Sequence, residues 1–253
     1  MASPSPRIVP LGDSALLAEF SETLDLAVNV RIQQLAEAIR RRRVPWIRDV
    51  VPALGGLALH FDTERFEAGL LPGEAAAALI KDCLNRRLPA LDDLARSVEV
   101  PVCYDAELGP DLAEVADECK LEVEEVIKLH CASPHRVLMV GFAPGHPYIG
   151  GLDAKLSVPR RTTPRPKVMA GSVAIANAQT VVYPFTISGG WSILGRTPLR
   201  VFDAARETPA LLAPGDQVKF KPIGREEFDR LALAAKARQM DGRLGGVSGA
   251  GAA

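Results

Sequence analysis

The sequence predicts an α+β chain in two parts, a small α/β unit followed by an antiparallel β unit. Three observations predict it. Up to about residue 87, strand spacing and helical spacing alternate. From His135 to about Ile223 only short apolar runs occur, with Gly, Pro, Asn or Ser between most of them. A stretch with the look of a linker, "LPALDDLAR", separates the two regimes. A length of 253 residues suffices for one large core or two smaller ones. The 30 basic and 31 acidic side chains nearly cancel, so no overall field steers the molecule to nucleic acid or to an anionic membrane. Charge-based recognition has to be local.

In the first part, "SALLAEF" (Ser14 to Phe20) reads as a short strand, and "LDLAVNVRIQQLAEAIRRRR" as a helix with Leu26, Val30, Leu35 and Ile39 on one face. The run Arg40 to Arg43 closes that helix. Positive charge there meets the negative pole of the helix dipole, and no interleaved aromatics favour a nucleic-acid surface. "WIRDVVPALGGLALHFD" has the composition of a hairpin in which Pro52 confines the first run to an edge or a strand end. A helix follows from about Glu74 to Arg87. The order strand, helix, strand, strand, helix is that of half or more of a ferredoxin-like sandwich.

In the second part, "SVEVPVCYD" alternates as a strand, and "GPDLAEVADECKLEVEEVIKLHCAS" carries two helices, the first with proline beside aspartate in its opening turn. The runs "RVLMVGF", "GSVAIA", "TVVYPF", "WSILG", "LRVF" and "QVKFKPI" then suggest an antiparallel barrel or sandwich. "REEFDRLALAAKARQM" reads as a helix and "LGGVSGAGAA" as a frayed tail. These readings divide the chain into residues 1–92, 93–225 and 226–253.

The segment Gly141 to Val168, "GFAPGHPYIGGLDAKLSVPRRTTPRPKV", is too dense in Gly, Pro and Arg for a helix or an interior strand. It reads as a long, stiff excursion between strands, and a loop of that length in a compact domain is usually functional or disordered. Phe142, Tyr148, Ile149 and Leu152 argue against disorder. Between Arg136 and Asp203 the only acids are Asp153 and Asp203, against Arg160, Arg161, Arg165, Lys167, Arg196 and Arg200. Guanidinium groups suit carboxylate, carbonate or phosphate, so the segment predicts a small anionic ligand.

The series "GDSALLAEF", "VPVCYDAELGPDLAEVA", "VIKLH", "GFAPGHPYIGGLD", "PRRTTPRPKVMAGSVAIANAQTVVYPFTISGGWSILGRTP" and "LLAPGDQVKFKPI" resembles the family of 5-oxoprolinase B-type subunits. That family is also described as allophanate hydrolase subunit 1, or the KipI-like family. The resemblance runs from about Gly12 to Ile223 and implies a cyclophilin-like barrel for the second part. It implies partners of two types, a C-type subunit with a related barrel and an A-type subunit. With them the chain would open 5-oxoproline to glutamate at the expense of ATP, magnesium accompanying the nucleotide. It also implies two alternatives: the carboxyltransferase component of a urea carboxylase or allophanate system, and a histidine-kinase inhibitor acting by protein binding. No GxxxxGK[ST] loop occurs, so any nucleotide site is not of Walker type.

Within these motifs the candidate catalytic residues are His146, Arg165 and Arg196. Arg165 in "TPRPK" and Arg196 in "GRTP" stand beside prolines that hold a guanidinium in place at less entropic cost. His146 is open to two readings, a general base or substrate contact, or a flat ring filling an aromatic's place. Phe142, Pro144 and Tyr148 would form a wall. Arg160, Lys167, Ser172, Gln179, Tyr183 and Thr197 are the further substrate-binding candidates, and the pocket is expected beside Gly141 to Lys167 and Gly189 to Thr197. Trp191 reads as a packing or interface ring. His130 is explained by its place at a helix C-terminus or by function, and His60 and His135 as structural. Cys83, Cys103, Cys119 and Cys131 have no CxxC spacing and read as reduced thiols, and no metal site is expected. The first residues lack the pattern of a secretory signal, and no window approaches a membrane span, so the expected compartment is the cytoplasm.

Overall fold

The structure, a computed structural model, describes residues 5–66, 69–90 and 96–245. The chain divides into two compact units, Met1–Arg96 with Val137–Val140 and Pro214–Asp216, and Ser97–Arg136 with Gly141–Ala213 and Gln217–Ala253. The centre of the expected linker, residues 91–95, and the expected tail beyond residue 245 lie outside the described residues.

The first unit contains β1 (Arg7–Pro10), β2 (Ala15–Glu19), α1 (Leu26–Arg41), β3 (Ile47–Pro52), β4 (Gly56–Phe61) and α2 (Pro72–Leu84). Its sheet has the order β1-β2-β4-β3 with every neighbour antiparallel. The strand–helix–hairpin–helix pattern is as read from the sequence. Strand β1 is an addition, its four residues "RIVP" being too short to carry a period. Pro52 ends β3, an edge strand, where its missing N–H costs no interior ladder bond. Helix α1 starts because Asp25 accepts from the N–H groups of Ala27 and Val28 at 2.8 and 3.1 Å. It buries Ile32, Leu35, Ala36 and Ile39 against Leu57, Leu59 and Ile80. Each such Leu or Ile side chain stabilises the unit by about 1.5–3 kcal/mol. The arginines that close α1 tie it down. Arg40 donates to the Val50 carbonyl at 2.6 Å, Arg41 pairs with Glu37 and Arg42 with Asp82.

The second unit contains β5 (Ser97–Val102), α3 (Leu112–Cys119), α4 (Val123–Ala132), β6 (His135–Val140, its last four residues counted with the first unit), β7 (Pro147–Gly150), β8 (Arg165–Val168), β9 (Ser172–Ala176), β10 (Gln179–Val182), β11 (Ile187–Gly189), β12 (Ser192–Arg196), β13 (Gln217–Pro222) and α5 (Arg225–Gly245). The seven-stranded sheet runs β12-β9-β10-β7-β6-β13-β5, and β8 pairs with β11 separately. Beyond β5, Cys103 bridges Arg196 of β12 through two backbone hydrogen bonds of 2.9 Å, so the sheet nearly closes into a barrel. Strands β9 and β10 are buried at every position, as strands covered on both faces are.

Three expectations are corrected. The glycine- and proline-rich segment does hold an interior strand, β7, between β10 and β6. Its only proline, Pro147, is the first residue, where the absent N–H falls at the strand end. The sheet is not wholly antiparallel, because β13 pairs with β5 in parallel. "LRVF" makes no strand, contributing one bridge between Phe202 and Ala210.

Candidate functional site

At one place on the second unit the long segment returns over the sheet and encloses a cavity of about 200 Å³. Phe142, His146 and Tyr148 come from the β6–β7 connection and β7, and Tyr183 directly follows β10. Arg160, Arg161 and Pro164 come from the strap that precedes β8. Ser188 to Trp191 close the remaining side. Gly189 is required there, since a Cβ on it would stand 2.2 Å from the Tyr183 hydroxyl.

His146 is the centre of a box of rings. Its imidazole is 3 % exposed, with ring centroids 5.5 Å from Phe142, 5.1 Å from Tyr148 and 5.3 Å from Tyr183. Burial pushes its pKa down to about 4, so at neutral pH the ring is uncharged, and its buried Nδ1 has no hydrogen-bond partner. Burial likewise pushes the Tyr183 phenol up to about 12 and keeps it a donor. Phe142 sits at the lip, 71 % exposed, at φ 71°, a conformation that costs a non-glycine residue on the order of 1–3 kcal/mol.

The cations are not equivalent. Arg165 grips Asp111 with both terminal nitrogens, at 2.9 and 2.5 Å, and Arg161 reaches Asp111 at 3.3 Å and Glu114 at 2.8 Å. Arg160 has no carboxylate partner among the described residues and lies with its guanidinium 5.2 Å from the Trp191 ring centre. The pocket therefore presents one uncompensated positive charge among neutral rings.

Of the residues singled out in the sequence, Phe142, His146, Tyr148, Arg160 and Tyr183 line this cavity. The others do not. Pro144 is exposed on the loop and Lys167 is exposed on β8. Arg196 belongs to the barrel seam, and its Nε donates to the Ala170 carbonyl at 2.8 Å. Ser172, Gln179 and Thr197 are buried, Thr197 accepting from the Leu199 N–H at 3.2 Å. Sequence reading missed Asp111 and Glu114 as partners of the arginines, because they precede those arginines by some fifty positions. Trp191, read as a packing or interface ring, is both packing and lining.

His130 proves to be no cation at a helix end. It is fully buried and bonded to the Tyr104 hydroxyl at 2.8 Å, and desolvation pushes its pKa well down, so it meets the helix terminus as a neutral ring. A larger cavity, about 700 Å³, lies between the end of α4 and β13, without a comparable box of rings. Among the described residues no three of His, Cys, Asp or Glu converge as metal ligands, and no helix is long and apolar enough to cross a membrane.

A model of the carboxyltransferase domain, subdomain C and D, matches residues 6–212. The chain belongs to that family. This carboxyltransferase-domain chain is 38 % identical to the B-type subunit of 5-oxoprolinase from Bacillus subtilis over 88 % of its own length and 95 % of that protein. The crystal structure of TTHA0988 matches with a TM-score of 0.70 at 39 % identity, over 83 % of this chain and 40 % of that one. The Kluyveromyces lactis urea carboxylase matches with a TM-score of 0.68 over 93 % of this chain and 24 % of that one. At 19 % identity, that is a likeness of fold alone. The site lies wholly within the family-matched residues, so the rings and the strap are placed by the domain that defines the family.

Proposed function

We propose that the chain is the B-type component of an ATP-dependent 5-oxoprolinase, a cytoplasmic hydrolase that opens 5-oxoproline to glutamate together with C-type and A-type subunits and is inactive alone. The observation that carries this reading is the pocket's single uncompensated guanidinium among neutral rings, which suits a small monoanion bearing an amide carbonyl. The 5-oxoprolinase relative from Bacillus subtilis, which runs nearly the same length, supports it. Arg160 would take the carboxylate, and the protonated Tyr183 phenol and neutral His146 would offer hydrogen bonds to the carbonyl as the C–N bond opens and water is added. A cavity of about 200 Å³ is too small for a whole nucleotide, so ATP and its magnesium would bind elsewhere in the assembly. Arg165, Arg196 and Lys167 keep a place in the proposal as supports of the site, as do Pro144, Ser172, Gln179 and Thr197.

The same reading includes a cyclophilin-like barrel and a division into 1–92, 93–225 and 226–253. It includes a ferredoxin-like first domain in which β1 takes the edge beside β2. The match to the carboxyltransferase-domain model favours a second reading, a carboxyltransferase component. The exposed Phe142 leaves room for a third, a KipI-like inhibitor acting at its surface.

ATP hydrolysis by the chain alone and mixed with C-type and A-type partners, with 5-oxoproline or urea added, separates the readings. Turnover is expected only in the full mixture with 5-oxoproline. Arg160→Ala in that mixture is expected to raise KM about 10- to 100-fold, the loss of one charge-assisted contact. Turnover with urea instead, or none with either substrate alongside tight binding to a histidine kinase, would sink the hydrolase reading.

A further inference from the structure

A heavily bonded carboxylate of the second unit lies outside the cavity and outside every residue assigned to it. Asp111, 1 % exposed, sits where α3 begins. Its Oδ1 accepts from Arg165 Nη2 and Arg161 Nη1, and its Oδ2 from Arg165 Nη1 and, at 2.7 Å, from the backbone N–H of Ile193 on β12. Its own N–H donates to the Ile193 carbonyl at 3.1 Å. Two oxygens thus accept four hydrogen bonds, about the full capacity of a carboxylate.

What it holds is the strap. Arg161 lies near its start and Arg165 is the β8 residue at which it ends, and the backbone N–H of Arg161 also donates to the Gly190 carbonyl at 2.8 Å, one residue from Trp191. Arg160, next along the chain, is the residue stacked on Trp191. A buried carboxylate is expensive to desolvate, and a purely mechanical tie between α3 and β12 could be apolar. The charge is used on two guanidinium groups four positions apart, and it fixes the strap near its start and at its end.

We infer that Asp111 is a positioning residue for the pocket: it acts through Arg161 and Arg165 to hold the strap so that Arg160 stays on Trp191, facing the ligand. The part of this that concerns ligand affinity rests on the hydrolase reading above; the part that concerns the strap does not.

The variant Asp111→Asn keeps the shape and the bond from Ile193 but removes the charge. In a Trp46→Phe background, Trp191 is the one remaining tryptophan, and acrylamide quenching of its fluorescence reports the strap in the chain alone. The quenching constant is expected to rise at least about twofold, as local opening exposes the ring. Arg165→Met, at a position less buried than Asp111, is expected to do the same. The double variant should add little to either single one, because the two residues act as one unit. In the assembled complex, Asp111→Asn is expected to raise KM for 5-oxoproline about tenfold while kcat stays within about threefold, the signature of a lost binding arrangement. Unchanged quenching in Arg165→Met, or in a folded Asp111→Asn, would overturn the inference. So would loosened quenching with an unchanged KM in an active complex. If the wild-type complex turns over no 5-oxoproline, the hydrolase reading fails while the quenching experiment still decides the role of Asp111.

Discussion

Gly109→Ala is expected to cost on the order of 4 kcal/mol, at the top of the range for single replacements. A Cβ on Gly109 would lie 2.0 Å from the Leu194 carbonyl oxygen and 2.6 Å from its carbon. Both partners are backbone, so no side chain can swing aside. The turn from Asp105 to Leu112 is itself fixed, Gly109 donating to the Asp105 carbonyl at 2.7 Å and accepting from the Leu112 N–H at 3.1 Å. Relief has to come from lifting the start of α3 off β12, which also pulls Asp111 from Ile193. Urea unfolding should show a much lower midpoint with little change in slope. Gly73→Ala, in α2 with nothing within 4 Å of the new Cβ, is the control and should be neutral or stabilising by up to about 1 kcal/mol. A midpoint unmoved by Gly109→Ala would mean that the approach of α3 to β12 is looser than described.

Acid is expected to destabilise the second unit well above the pH at which carboxylates titrate. His146 has its pKa pushed down to about 4, and burial also lowers those of His130 and His135. The unfolded chain takes up these protons near pH 6.5 and the folded chain does not. The stabilisation from His146 is therefore complete above about pH 6.5, falls as the pH drops through that value and is gone below about pH 4. For His146 alone the loss is of order 3 kcal/mol. Replacing it by phenylalanine keeps a ring among Phe142, Tyr148 and Tyr183 while removing the titration. The stability of His146→Phe should fall less steeply between pH 6.5 and pH 4 than that of the wild type. Parallel curves for the two proteins would show that the imidazole takes up its proton in the folded state.

Much of the cavity's lining was legible because it lies in one continuous segment. Composition alone marks Gly141 to Val168 as stiff and cationic, and four of the candidates drawn from it, with Tyr183 just after β10, do line the cavity. The others lie away from the cavity for an identifiable reason. Counting charge along a window credits Arg161 and Arg165 as free cations, whereas their partners Asp111 and Glu114 arrive from α3, far upstream. Arg196 looked like a ligand arginine beside a proline, but its backbone closes the barrel against Cys103, a pairing with no local signature. In the fold, helices and hairpins within the first unit were readable because their partners are close in sequence. Strand β7 was not, since four residues starting with proline give no period to read.

The parallel pairing of β5 with β13 bears on the order in which the protein is made. Ser97 lies opposite Gln217 and Val102 opposite Pro222, so the opening strand of the barrel waits for its neighbour until nearly the whole of the unit has been synthesised. The first unit, held largely by contacts close in sequence, has no such wait for most of its core. On a ribosome, β5 therefore emerges with an open edge and stays a target for chaperones and for mispairing until β13 arrives. Such remote pairing also slows closure once the chain is free.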